Sequence, residues 1–207
     1  MNNYFLEGPI QTGKSTYLRK ILKAEFGPNL TGVAGFTSQR VVSSEGELLG
    51  FGIAPAAAEI LYTAGDQTET SWSQDGAAGV PTDSTAGVPA STRMFKTFGP
   101  AGPRVDMSVF ETYGVELLED AIAKAKSGEA RVVLLDEIGG HEMVCPEFTK
   151  RLYELLDMDV RCVGVIKHPA SAKRMDPSIL ALNEELHKKI TGEDSSAGEI
   201  EYFERQR

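Results

Sequence analysis

Gly8-Pro9-Ile10-Gln11-Thr12-Gly13-Lys14-Ser15 follows the spacing G-x-x-x-x-G-K-[ST], and that spacing suits the holding of a polyphosphate. Phosphate oxygens need several backbone N–H groups aimed at one point. The glycines permit that chain shape and its close approach, and a helix opening at Lys14 adds the positive end of its dipole. In this arrangement Lys14 neutralises the β and γ phosphates, and the Ser15 hydroxyl joins the shell of a bridging Mg2+. Thr16 is placed for the α-phosphate, with helix packing as an equal alternative. A Gly-rich turn without ligand is the plainer reading, and the agreement of motif, preceding strand and following helix argues against it.

A second constellation lies far along the chain. Val132-Val133-Leu134-Leu135-Asp136-Glu137 is an apolar run ending in two carboxylates. At the tip of a buried strand Asp136 is expected to hold Mg2+ or its water, and Glu137 to polarise the water that attacks the γ-phosphate. An acidic strand end facing solvent is the alternative. Hydrolysis also gains from a cation on the γ-phosphate. No Lys or Arg occurs between Arg40 and Arg93, so Arg93 and Arg104 are the candidates, against solvated surface arginines. Lys167 follows a buried strand at its C-terminal end, where ligands gather in open α/β sheets, and is a candidate for touching the nucleotide. His141-Glu142 and Cys145 lack the His-Glu-x-x-His spacing, so no structural zinc is expected.

These residues need elements to position them. Tyr4–Glu7 reads as a short strand, and a helix begins at Lys14 with Leu18, Ile21 and Leu22 on one face and Gly27-Pro28 as its stop. Val33–Val42 and Leu48–Ala54 flank Ser43-Ser44-Glu45-Gly46-Glu47 as a hairpin. A helix is expected over Thr112–Lys126, a central parallel strand over Arg131–Leu135 and a helix from Pro146. A buried strand over Val160–Ile166 and a last helix opening at Asp176-Pro177 and closing at Gly192 complete the pattern. Residues 63–92 are rich in Gly, Ala, Ser, Thr and Pro and contain a short duplication, Asp75–Thr82 followed by Asp83–Ala90. They read as a flexible surface insertion; a nucleotide-covering lid anchored by Trp72 is the sharper alternative. Residues 193–207 form a polar tail in which Ile200-Glu201-Tyr202-Phe203 either docks as an edge strand or stays loose.

The chain of 207 residues carries 21 basic and 30 acidic side chains, a net charge of −9. That balance argues against a nucleic-acid polymer or an anionic membrane as the main partner, whereas one phosphorylated small molecule needs only a local positive site. No apolar run approaches membrane-spanning length, no signal peptide is expected at the N-terminus, and two cysteines exclude a disulfide scaffold. A cytoplasmic location follows. The protein partner, if any, is open.

Four blocks together resemble a known family: Gly8–Ser15; Gly35-Phe36 with Gly50-Phe51-Gly52-Ile53; Tyr113-Gly114-Val115-Glu116-Leu117-Leu118; and Leu135-Asp136-Glu137-Ile138-Gly139 with Glu142 and Phe148. They are similar to the small P-loop nucleoside-triphosphatase family that includes the cancer-related nucleoside triphosphatase. Gly140-His141 stand where that family usually has Lys-Met. The resemblance implies a RecA-like sheet and Mg2+-dependent hydrolysis of ATP, GTP and other nucleoside triphosphates. The residues themselves point to one α/β P-loop domain over 1–192, with a mostly parallel central sheet flanked by helices and a β-hairpin element. A nucleotide or small-molecule kinase uses much the same phosphate site, but usually closes a basic lid over it, and 63–92 has no Lys or Arg. A non-catalytic nucleotide switch or accessory ATPase is the other alternative.

Overall fold

The computed structural model describes residues 3–43, 45–58, 91–192 and 198–204. Eight strands form one sheet in the order β5-β4-β3-β2-β6-β7-β1-β8. They are β1 (Tyr4–Glu7), β2 (Val33–Val42), β3 (Leu48–Pro55), β4 (Arg93–Gly99), β5 (Gly102–Val105), β6 (Val132–Ile138), β7 (Arg161–Ile166) and β8 (Glu199–Tyr202). The helices are α1 (Lys14–Phe26), α2 (Val115–Ser127), α3 (Pro146–Leu156), the single turn α4 (Pro169–Ala172) and α5 (Pro177–Thr191). Pairing is parallel along β2-β6-β7-β1-β8 and antiparallel along β2-β3-β4-β5. The sheet is thus a mixed α/β sheet whose parallel half is the one the apolar strands predict.

Burial in β6 shows why. Val132 and Leu134 pack with Leu22 of α1, whereas Val133 and Leu135 pack with α2, α3 and α5 through Leu118, Phe148 and Leu186. Side chains alternate across a strand, so a strand covered on both faces must be apolar at every position. Asp136 falls on the α1 face with Val132 and Leu134, and it lies inside the strand rather than at its tip, because β6 runs on to Ile138.

Three expectations need adjusting. Ile21 is 41% exposed; the buried face of α1 is Lys14, Leu18, Arg19 and Leu22. The Arg19 guanidinium is stabilised there by donating to the carbonyls of Ala56 (3.0 Å) and Ala58 (2.5 Å). The helix over 112–126 begins as a π-helical turn, Phe110–Gly114, before α2 takes over. Strands β4 and β5 have no counterpart in the sequence pattern, because β4 mixes polar and apolar side chains on both faces and none of its residues is fully buried.

Of the 63–92 insertion, Trp72 and both copies of the duplication lie outside the described residues, while Ser91 and Thr92 are held in place. The Thr92 hydroxyl donates to the Gln39 side-chain oxygen (3.0 Å), and the Ser91 carbonyl accepts from the Tyr113 hydroxyl (2.6 Å). Of the two alternatives for the tail, Glu199–Tyr202 takes the edge strand, parallel to β1. No helix among the described residues is long and apolar enough to cross a membrane.

Candidate active site at the ends of the parallel strands

β1 ends at Glu7 and α1 opens at Lys14, so the six residues between must reverse the chain. Gly8 (φ 134°) and Gly13 (φ 90°, ψ 17°) take conformations that side chains disfavour, and Gln11 is left-handed without being glycine (φ 61°). Gly13 offers no side-chain cap, so the first amides of α1 have no partner within the helix. The buried Lys14 ammonium donates to the carbonyls of Gly8 (3.2 Å) and Pro9 (2.6 Å) and to the Thr12 hydroxyl (3.4 Å). Burial lowers its pKa, with Lys167 acting in the same direction and Glu137 and Asp136 opposing.

The Ser15 hydroxyl donates to Asp136 Oδ1 at 2.7 Å, which joins the phosphate loop to β6. The second oxygen of Asp136 accepts from the Thr37 hydroxyl and the Ser38 amide, both at 3.1 Å. Burial and the neighbouring Glu137 push the Asp136 carboxyl up to about 6, against the hydrogen bonds from Ser15, Ser38 and Thr37. Thr37 and Ser38 escape sequence reasoning because nothing local marks them. They reach Asp136 because β2 lies beside β6 in the register Phe36↔Leu135.

Glu137 is left-handed (φ 64°), and the β6–β7 register shifts between Leu135 and Ile138. This irregularity turns Glu137 out of the strand's alternation. Its Oε2 meets Lys167 Nζ at 2.8 Å, and the same ammonium lies 3.3 Å from the Glu137 carbonyl. Lys167 holds the Glu137 carboxyl below the usual carboxylate range, against burial. Burial works against the Lys167 ammonium in turn, but Glu137 and Glu142 more than offset it, so its pKa lies above the ordinary lysine value. Glu142 is buried and accepts from the Gly140 amide at 2.7 Å; burial raises its pKa. A Cβ on Gly140 would lie 2.6 Å from Lys167 Cε, so a side chain there would require the end of that lysine to move. From α5, the fully buried Asn183 donates to the carbonyls of Gly139 (3.0 Å) and Lys167 (2.9 Å), tying the ends of β6 and β7 together. Asn183 is another residue without a sequence signal, since it sits on an otherwise amphipathic helix.

The sequence candidates Gly8–Ser15, Asp136, Glu137 and Lys167 therefore converge at one edge of the sheet, with Thr16 exposed on the first turn of α1. Arg93 is placed elsewhere. It pairs across from Ile53, which pairs across from Ser38, and its guanidinium lies 5.4 Å from the centroid of the Tyr113 ring. Tyr113 and Ile53 both pack on the α2 face, opposite the face on which Ser15 meets Asp136. Arg104 is exposed on the edge strand β5.

The donor set suits a hard cation: one hydroxyl and one carboxylate at 2.7 Å, beside a phosphate loop that leaves the remaining ligands to phosphate and water. No cluster of three or more His, Cys, Asp or Glu side chains suited to a metal occurs among the described residues.

Residues 91–191 match the family model described as NTPase. The fold is similar to that of THEP1 from the hyperthermophile Aquifex aeolicus (TM-score 0.52, 18% identity, covering 88% of this chain and 83% of that one). It is also similar to a human cancer-related nucleoside triphosphatase (TM-score 0.53, 21% identity, covering 91% of this chain and 85% of that one). No curated protein matches the chain.

Proposed function

We propose that this chain is a P-loop NTPase that hydrolyses nucleoside triphosphates to the diphosphate and phosphate with Mg2+ as cofactor; the match of residues 91–191 to the NTPase family model and the likeness of fold to the two solved structures support the reading. The observation that carries the reading is the 2.7 Å contact between Ser15 and Asp136, with Glu137 next in sequence and ion-paired to Lys167. Ser15 and Asp136 would hold the Mg2+, which when bound draws charge off the β- and γ-phosphate oxygens. Gly8 to Gly13 present backbone amides to the phosphates. Lys14 exchanges its contacts with the Gly8 and Pro9 carbonyls for the β and γ oxygens.

Glu137 orients the attacking water. A carboxylate held ionised by Lys167 is a weak base, so it acts by placing the water's lone pair in line rather than by taking its proton early. That is adequate where the transition state is loose and little proton transfer precedes bond breaking. Lys167 is ion-paired to Glu137 and also interacts with Glu142, and we assign to it, rather than to Arg93, the charge-stabilising part. The buried, unpaired Cys145 and Cys162 thiols fit a reducing compartment, so we place the activity in the cytoplasm.

Phosphate release from ATP, GTP, CTP and UTP by the purified chain, measured across a Mg2+ titration, tests the reading. One phosphate and one diphosphate per turnover without any acceptor is the expected result. Turnover only when an acceptor is supplied would make the protein a kinase.

A further inference from the structure

The hydrolytic reading accounts for the phosphate end of a nucleotide, and the structure also holds a feature suited to the other end. β8 continues past Tyr202 so that the Phe203 amide donates to the Glu7 carbonyl at 2.8 Å. The strand thereby runs alongside the start of the phosphate loop, so closely that a Cβ on Gly8 would lie 2.6 Å from the Phe203 carbonyl oxygen. Two aromatic pairs flank this strand end. The Phe203 ring tilts against Tyr17 of α1 at 5.2 Å between centroids, and Tyr202 meets His168 edge to face at 5.8 Å. Tyr17 is 43% and Tyr202 49% exposed, and Ile10 in the loop itself is 74% exposed. Half of the exposed large apolar side chains among the described residues thus lie in or beside the phosphate loop, although nothing in the packing of β8 or α1 requires them to face water.

The direction of the nucleotide selects this surface. Ser15 and Asp136 set the γ-phosphate end towards β6, and the sheet order β6-β7-β1-β8 puts the phosphate loop two strands away and β8 one beyond. At about 4.8 Å per strand the path from β6 to β8 spans roughly 15 Å. The β7 side is filled by Lys167, Glu137 and Glu142. A triphosphate lying over the loop with its α-phosphate near Thr16 therefore carries its nucleoside out over the end of β8.

Resting on the hydrolytic reading, we infer that Tyr202 at the exposed end of β8, with His168 beside it, is the platform on which the nucleobase stacks, while Phe203 and Tyr17 pack on the opposite, α1 side of the strand. Stacking reads the π-face that every base offers, so the platform admits both purines about equally and favours them over the smaller pyrimidines.

The test compares Tyr202→Ala, Tyr202→Phe and, on the opposite face of the strand, Tyr17→Ala with the unaltered chain, because both side chains are exposed enough for the fold to tolerate the change. KM for ATP and GTP is expected to rise about tenfold in Tyr202→Ala and to stay within about twofold in Tyr202→Phe. The inhibition constant of inorganic tripolyphosphate, which has no base, is expected to stay unchanged in all three, and the purine-over-pyrimidine preference to shrink in Tyr202→Ala. Unchanged KM for ATP in Tyr202→Ala, whatever Tyr17→Ala does, overturns the platform while leaving the phosphate site standing. An equal loss for ATP and tripolyphosphate also overturns it, since the aromatic residues would then support the loop and not the base. If the unaltered chain releases phosphate from no triphosphate, the hydrolytic reading itself fails and the platform falls with it.

Discussion

In the parallel half of the sheet, β6 buries Val132 to Leu135 on both faces at 0–2% exposure; in the antiparallel half, β4 has no fully buried residue along its length. The first half carries nearly every candidate for chemistry, and the second contributes Thr37 and Ser38 only from β2, the strand both halves share. Parallel strands all end at the same edge, so loops after β1, β6 and β7 are brought together without further design. In an antiparallel ribbon successive strands end at opposite edges and scatter whatever follows them. Burial matters as well. A left-handed Glu137 costs about 1–3 kcal/mol and persists only where the surroundings leave it no choice. The covered ends of β6 and β7, tied by Asn183, provide such surroundings, and the exposed ribbon does not.

The largest effect is expected where the parallel half meets the phosphates. Lys14→Ala should remove detectable hydrolysis and greatly weaken nucleotide binding while the fold survives, as followed by phosphate release and circular dichroism. Unchanged turnover would remove the phosphate loop from the mechanism. Next comes Glu137→Gln. With the water no longer oriented, turnover should fall by about 10²-fold while Mg-nucleotide binds nearly as before, a split that single-turnover kinetics and equilibrium binding resolve. Equal losses in both would make Glu137 a ligand for cation or phosphate.

A smaller effect concerns stability. Folded Asp136 keeps its proton up to about pH 6, whereas an unfolded aspartate releases it near 3.9. The folded state therefore binds more protons between these values, and stability falls as pH rises through that window. Asp136→Asn avoids the penalty. In the absence of divalent cations it should be more stable than the unaltered chain by about 3 kcal/mol well above pH 6, with the difference closing as pH falls towards 4. Denaturant unfolding at pH 4, 6 and 8 measures it, and a pH-independent difference would show that Asp136 is not buried as a strained carboxylate. The smallest effect belongs to the antiparallel half. Arg93→Ala loses a contact with Tyr113 worth about 0.5–1 kcal/mol and should change turnover by less than about threefold. A loss of 10³-fold would break the comparison and return Arg93 to the γ-phosphate.

What could be read directly from the amino-acid order is what adjacent residues decide among themselves. Gly8, Gly13, Lys14 and Ser15 work through backbone conformation and a helix start a few residues apart. Val132 to Leu135 announce a strand covered on both faces, and Asp176 before Pro177 announces a helix cap, seen here accepting from the Ser178 amide at 2.7 Å. Tertiary structure decided everything that depends on which strands become neighbours. Thr37 and Ser38 meet Asp136 only because β2 pairs with β6 across about a hundred residues. Lys167 meets Glu137 because β7 follows on the other side of β6, and Arg93, nearer the phosphate loop in sequence than Lys167, is carried by β4 to the far face. The end of β8 reaches Gly8 from nearly two hundred residues away. Such pairings are settled by register and by which apolar faces must be covered together, energies that belong to the assembled sheet and leave no mark on the residues whose partners they choose.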